Sequence, residues 1–370
     1  MADARPPSDE TLFHPELATA AWRRRLKDSE AGRIAAMVYR RRRLPVQVLR
    51  APGGLRGPAT VMPEQRRRVR CVVWIPAGPG ALPGLRAAWD SVAASSPGEV
   101  ALLVTDDWSP DAHADAVRAQ IPEAVVVRTR LPSGGPPRLW PVTALAIGAA
   151  LAHFDFELLV KFDTDALAVG PQWVEGIASA IARAQEAPPA VAPEDAGSRA
   201  AQLGADVPIG IAGAFLERPD GELECDRPYH RRVLDGEVAH DRKLAEWVRR
   251  ATDAGWPPGA IVQGGCLALS RACCEALARE GALDYVPRLR TIVSEDLLVT
   301  VLAYALGFRA ASLGGPVGPL AIANKHLPLG LDELLDPASR WLVMHSTKVG
   351  LDGEPEQLLR ERAATARTRW

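Results

Sequence analysis

Short, unbroken apolar runs alternate along this chain with longer segments whose apolar residues recur at helical spacing. VRCVVWIPA (Val69–Ala77), EVALLVTDD (Glu99–Asp107) and AVVVRTR (Ala124–Arg130) are three such runs, and Leu158-Leu159-Val160 within ELLVKFDTDAL is a fourth. A short apolar run bounded by turn residues is the pattern of a central parallel strand buried on both faces. Between them the periodicity predicts helices around Leu85–Ala94, over Arg138–Phe154 after Pro141, and around Gln172–Ala184. A strand pair is expected at Val207–Leu216 and Ala260–Leu269, and the run LLVTVLAYALGF continues as a helix after Ser294-Glu295-Asp296. Strands alternating with helices imply a mostly parallel sheet whose ligands sit at the carboxyl ends of the strands. The Pro/Ala-rich stretch Glu186–Asp206 and the polar stretch Glu217–His240 read as loops. Residues 1–66 are distinct: Glu16 to about Arg43 has helical periodicity and arginine clusters at Arg23–Arg25 and Arg40–Arg43. The expected division is therefore a basic helical extension (1–66), an α/β domain (67–350) and a charged C-terminal tail (351–370).

Composition narrows the classes. With 370 residues, 47% hydrophobic, 24% charged and a formal net charge of −1, the chain is an ordinary globular protein and not a general nucleic-acid binder. Its five cysteines form no C-x-x-C pair, so neither a zinc ribbon nor a disulfide framework is indicated, and an odd count fits a reducing cytoplasm. No secretory signal and no run of membrane-spanning length is found; the longest apolar runs, Thr143–Leu151 and Leu297–Leu306, read as core helices. A cytoplasmic location is expected. The basic N-terminal helix is either a solvated face of a packed helix or a contact with an anionic membrane surface or another subunit.

Candidate chemistry gathers at the ends of the apolar runs. On a strand alternate residues share a face, which would point Lys161, Asp163 and Asp165 the same way. Two carboxylates and an ammonium are costly to bury there unless paired, and a divalent cation holding an anionic ligand is a natural partner. Asp106, Asp107 and Asp111 in VTDDWSPD are either acceptors for a ribose or a base, or residues of a plain turn. Gly264-Gly265 interrupts a strand, marking a bulge or the close approach of a ligand or another backbone. Ser294, Glu295 and Asp296 suit a helix start through capping and the helix dipole, and His345 follows a short apolar strand as a structural histidine or a ligand.

Taken in order, these residues resemble the GT-A fold glycosyltransferases, which use nucleotide sugars. The resemblance runs from about Val69 to Lys348 and rests on an acidic turn (Asp106/Asp107), a D-x-D (Asp163/Asp165), a glycine loop (Gly264/Gly265), an x-E-D motif (Glu295/Asp296) and a late histidine (His345). It is closest to family 2-like enzymes: VTDDWS, Ala144-Leu145-Ala146-Ile147-Gly148 and KFDTDA are similar to their VDDGS turn, A-L-N-x-G helix and L-D-x-D-D strand. Ala146 stands where that helix has asparagine, and Ala166 where the strand has a third acid.

The resemblance implies a Rossmann-like α/β fold, its mostly parallel central sheet flanked by helices. It implies a sugar moved from a UDP-, GDP- or TDP-linked donor to an acceptor hydroxyl, with no nucleic acid involved. Asp165 and His345 would hold Mn2+ or Mg2+, with Asp163 either a third ligand or a contact through water or ribose, the imidazole favouring Mn2+. Donor contacts would come from Pro76, Ala77, Asp106, Asp107, Arg138, Lys161, Asp163, Gly264, Gly265 and Lys348. Lys161 either meets the diphosphate or only neutralises the aspartates beside it. Asp296, with Glu295 beside it, would act as the general base of an inverting transfer; the helix N-terminus favours its anion, so desolvation by bound substrates must keep it basic. The acceptor is left open and is expected against segments Glu217–His240 and Gly314–Gly330, with Trp256 and His326 as candidate contacts. Other readings are a retaining transferase, an NAD(P)-dependent oxidoreductase through Gly78, Gly80 and Gly84, a phosphatase through FDTDAL, and a non-catalytic sugar-nucleotide-binding protein.

Overall fold

The computed structural model describes residues 66–78, 80–106, 111–128, 139–186, 206–215, 241–257, 259–285, 293–315, 318–323 and 326–368, with isolated positions 223, 233 and 236. In chain order the elements are β1 (Arg67–Arg68), β2 (Cys71–Pro76), α1 (Leu82–Ser95), β3 (Val100–Asp106), α2 (Asp111–Gln120), β4 (Val125–Arg128), α3 (Trp140–His153), β5 (Phe154–Asp155), β6 (Leu158–Phe162) and β7 (Leu167–Ala168). They continue with α4 (Trp173–Glu186), β8 (Ile209–Phe215), α5 (Arg242–Asp253), β9 (Val262–Ser270), α6 (Arg271–Arg279), α7 (Glu295–Ala305), β10 (Arg309–Ser312), β11 (Leu320–Ile322), α8 (Leu331–Leu334), β12 (Val343–His345) and α9 (Glu356–Arg367).

Seven strands form the central sheet in the order β10-β8-β9-β6-β2-β3-β4. Neighbours are parallel except β9, which runs antiparallel to both β6 and β8. The strands at its centre are buried along nearly their whole length, as expected of runs covered on both faces. Alternation then sorts each strand's side chains. Val72, Trp74 and Leu159 join one core with α3 and α7, while Cys71, Val73, Ile75 and Val160 join another with α1 and α4. Proline in the first turn, where no intrahelical N–H bond is lost, opens both α1 and α3. The expected α/β class, with its mostly parallel sheet flanked by helices, is what the chain adopts.

Three departures from the sequence reading shape the site. First, β6 stops at Phe162, and residues 163–166 turn, the Ala166 N–H donating to the Asp163 carbonyl at 3.0 Å. Strand alternation therefore does not align Lys161 with Asp165; a turn does. Second, β9 runs unbroken through Gly264 and Gly265, but its register with β8 slips there. β8 advances two residues (213 to 215) while β9 covers five (267 to 262), which is a bulge. Third, part of the stretch read as a C-terminal tail is the helix α9, with Leu359, Ala363 and Ala366 buried. Leu359 and Ala363 share a third core with Leu167, Val169 and Met344. No helix among the described residues is long and apolar enough to cross a membrane.

Candidate metal and transfer site

A small second sheet brings the candidate ligands together. Strands β11, β12 and β7 pair in that order, and β12 meets β7 antiparallel with Val343 opposite Ala168 and Met344 opposite Leu167. Since β7 begins two residues after Asp165 and His345 ends β12, that pairing sets the imidazole beside the aspartate turn. The Thr347 N–H and hydroxyl both donate to the Asp165 carbonyl, at 2.9 and 3.0 Å, and the Asp163 N–H donates to the Gly265 carbonyl at 3.1 Å. The turn is thus held from two sides.

Asp163, Asp165 and His345 each offer one ligand atom, all within 4.8 Å of one another. His345 Nε2 lies 3.5 Å from Asp165 Oδ2 and 3.8 Å from Asp163 Oδ2. Ligand atoms around an octahedral ion of this class lie up to roughly 4.2 Å apart, a span that admits both histidine–aspartate pairs. His345 Nδ1 is buried with no hydrogen-bond partner among the described residues, so the ring's polar capacity is directed through Nε2. Asp165 is buried, which opposes ionisation, yet His345, Ser346 and Lys348 outweigh the burial and hold its carboxyl well below the usual carboxylate range. The Ser346 hydroxyl donates to Asp165 Oδ2, and Lys348 Nζ stands 3.1 Å from the same oxygen with its side chain mostly exposed. Two carboxylates and an imidazole suit Mn2+ or Mg2+.

Lys161 ties this cluster to a second one. It is buried, and its ammonium donates to the Gly264 carbonyl at 2.7 Å while standing 2.9 Å from Asp163 Oδ1 and 3.5 Å from Glu295 Oε1. Burial works against its charge, but Asp163, Glu295 and Asp296 prevail and keep it protonated beyond the usual lysine range. Three internal acceptors surround the three N–H bonds, a geometry that favours neutralisation of these carboxylates over contact with a diphosphate. Glu295 and Asp296 form the first turn of α7; Ser294 occupies the N-cap position, but its hydroxyl makes no capping bond. Burial raises the Glu295 carboxyl to about 7, Lys161 opposing and Asp296 adding to the shift. Asp296 is half-buried, and its Oδ1 accepts from the Leu297 N–H at 2.9 Å.

The glycine pair leaves room for protein side chains. A Cβ on Gly265 would sit 2.4–2.7 Å from three atoms of the His345 ring, and one on Gly264 would sit 3.1 Å from Lys161 Nζ and 3.9 Å from Asp296 Oδ2. Both sequence alternatives, bulge and close approach, hold at this place, and the approaching groups belong to the chain itself.

Pro76 ends β2 and Ala77 follows it, its N–H donating to the Thr105 carbonyl at 3.0 Å. Asp106 ends β3, fully buried, with Arg128 of the neighbouring strand 3.6 Å from its Oδ2. Asp107 and Arg138 lie outside the described residues, as do most of Glu217–His240 and Cys225. Trp256 does not face an acceptor: it is buried in the core, its indole N–H donating to the Ala260 carbonyl at 3.0 Å. His326 is exposed, its Nδ1 2.9 Å from the Leu327 carbonyl. Sequence reasoning passed over Ser346 and Thr347, although the polar STK after an apolar strand carried a signal. It also passed over Arg360, whose side chain reaches the Thr164 carbonyl from α9.

No family model and no curated protein matches the chain. Among solved structures, it is similar to the mannosyltransferase PcManGT from Pyrobaculum calidifontis in complex with GDP-Man and Mn2+, at 19% identity and a TM-score of 0.36 over 80% of this chain and 67% of that one. It is also similar to S. aureus TarS 1-349 in complex with UDP-GlcNAc, at 14% identity and a TM-score of 0.35 over 67% of this chain and 57% of that one. Likeness at this level fixes neither substrate nor activity.

Proposed function

We propose that this protein is a metal-dependent glycosyltransferase of the GT-A kind, moving a sugar from a nucleoside-diphosphate donor to an acceptor hydroxyl with inversion. The observation that carries the reading is convergence. Asp163 and Asp165, His345, and the Glu295–Asp296 pair come from three distant stretches and meet around Lys161 at the ends of β6 and β9. A divalent cation held by Asp163, Asp165 and His345 would disperse the negative charge that builds on the leaving diphosphate, and the imidazole favours Mn2+ over Mg2+.

The chain's own groups divide the remaining work. Lys348, mostly exposed and already beside Asp165, is the ammonium free to swing onto a diphosphate. Asp106 and the backbone at Pro76 and Ala77 line the ends of β2 and β3, where a ribose and base would lie. Asp296 takes the proton from the acceptor hydroxyl as that oxygen attacks the anomeric carbon. Glu295 is buried against Lys161, so it supports Asp296 from behind instead of meeting the acceptor.

The test combines turnover with stereochemistry. Asp296→Asn should lower kcat by at least about a hundredfold while Mn2+ affinity and donor binding stay at wild-type levels, and NMR of the product should show an inverted anomeric centre. Near-normal turnover by Asp296→Asn removes the base assignment. A retained anomer removes the inverting mechanism.

A further inference from the structure

The aspartate turn is supported from behind by a part of the chain that its sequence context does not point to. Arg360, on the first turns of α9, donates through Nη2 to the carbonyl of Thr164 at 3.2 Å. Thr164 is the middle residue of the D-x-D, so this bond pulls on the peptide that joins the two carboxylate-bearing residues. The guanidinium is itself held by Glu356, four residues back on the same helix. Gly84 of α1 makes the approach feasible. A Cβ there would lie 2.7 Å from the Thr164 carbonyl oxygen and 3.0 Å from Arg360 Nη2, and the first of these is backbone that cannot swing aside.

The same helix also braces the histidine side. Leu359 and Ala363 pack in one core with Leu167 and Val169, which leave the aspartate turn, and with Met344, which precedes His345. One face of α9 therefore shares a core with β7, which follows the aspartate turn, and with β12, which carries His345, while Arg360 reaches the turn itself.

We propose that Arg360 is a positioning residue for the metal site, fixing the turn so that Asp163 and Asp165 present their oxygens to one cation. The inference rests on the metal-site reading above. Outer partners that orient metal-binding residues typically cost 10–100-fold in metal affinity when removed, which sets the expected effect.

The experiment is a Mn2+ titration of the full chain, followed by EPR of the free ion and independent of turnover. Arg360→Ala should bind Mn2+ at least about tenfold more weakly than wild type. Arg360→Met keeps the length and packing of the stem without a donor, covers the case in which the alanine variant does not fold, and should show the same loss. Arg360→Lys, which retains an N–H for Thr164, should recover affinity to within about threefold of wild type. Arg249→Ala removes an exposed ion pair with Asp253 on α5 and is the control expected to change nothing. Wild-type Mn2+ affinity in Arg360→Met overturns the proposal alone. A lysine variant as weak as the methionine one overturns the hydrogen-bond role. A wild-type protein that binds no Mn2+ overturns the metal reading and this inference with it.

Discussion

At residue scale, one missing carbon at Gly265 decides where His345 can stand. The ring's Nδ1, Cε1 and Cγ lie 2.4–2.7 Å from the point where a Cβ would be, closer than such contacts occur. The ring has little room to retreat, because β12 is paired to β11 on one side and β7 on the other. Gly265→Ala should therefore move the imidazole off the aspartates and weaken Mn2+ binding at least tenfold, measured by the same titration; unchanged affinity would show that the ring is not held there. Glu295 gives a second prediction. Burial raises its carboxyl from an ordinary 4.5 to about 7, so the folded state holds this proton more tightly than the unfolded chain does. The contribution is fully present below about pH 4.5 and is lost as pH climbs through about 7. Urea melts should accordingly show wild type losing stability relative to Glu295→Gln between pH 4.5 and 7.5, and parallel curves would place the shift elsewhere. The sequence marked Gly264 and Gly265 as a bulge or a place of close approach, yet it had no means of naming what approaches. His345 lies 80 residues on from Gly265 (345 − 265), and only the pairing of β7 with β12 closes that distance.

At element scale, strands long and apolar enough to be covered on both faces were legible, because burial demands that composition over a whole run. β2, β3, β4 and β8 fall inside the expected segments, while β6 and β9 start inside theirs and run on to Phe162 and Ser270. β7 and β11 span two or three residues each, too short for any period to register, whereas β12 is the short apolar strand expected ahead of His345 and takes that residue in as its last; these three strands assemble the site. Helix α9 escaped for a related reason: its buried face is Leu359, Ala363 and Ala366, set among arginines and glutamates, so charge masks the apolar spacing. Arg309 shows how much one side chain can bind between elements. It is buried at the start of β10 and donates to the carbonyls of Val207 ahead of β8 and of Ala184 and Gln185 in the last turn of α4. Gln185 adds bonds from its side chain to Val207 and Ile209, so α4, β8 and β10 share one knot. Arg309→Met keeps the bulk but orphans those carbonyls, and bonds from a charged donor are worth about 1.5–3 kcal/mol each at most. We expect a loss of about 3 kcal/mol in urea unfolding, with Mn2+ affinity per folded molecule unchanged, since this knot lies at the sheet edge on α4 and not at the β6–β9 ends. A loss below about 1 kcal/mol would mean that the carbonyls find other donors.

At the scale of the molecule, the site has no local precursor. Its carboxylates leave β6, its imidazole ends β12, its candidate base opens α7, and its brace is the last helix, so the cradle exists only once sheet, small sheet and α9 have closed together. A ligand that binds only this assembled state must stabilise the whole fold, by an amount set by its concentration over its dissociation constant, about 2.7 kcal/mol at a hundredfold excess. Melting curves of the full chain should then rise by a few degrees with Mn2+, and Asp165→Asn should be flat across the same titration. The nucleotide should depend on the metal. UDP or GDP alone should shift the melting temperature little, because Asp163 and Asp165 repel a diphosphate, whereas either nucleotide added with Mn2+ should shift it more than the two separate effects combined. Linkage makes that coupling reciprocal, so nucleotide must tighten Mn2+ by the factor with which Mn2+ tightens nucleotide. A nucleotide shift of equal size with and without Mn2+, and unchanged in Asp165→Asn, would put the nucleotide somewhere other than across this cradle and remove the physical basis for donor activation at Asp163, Asp165 and His345.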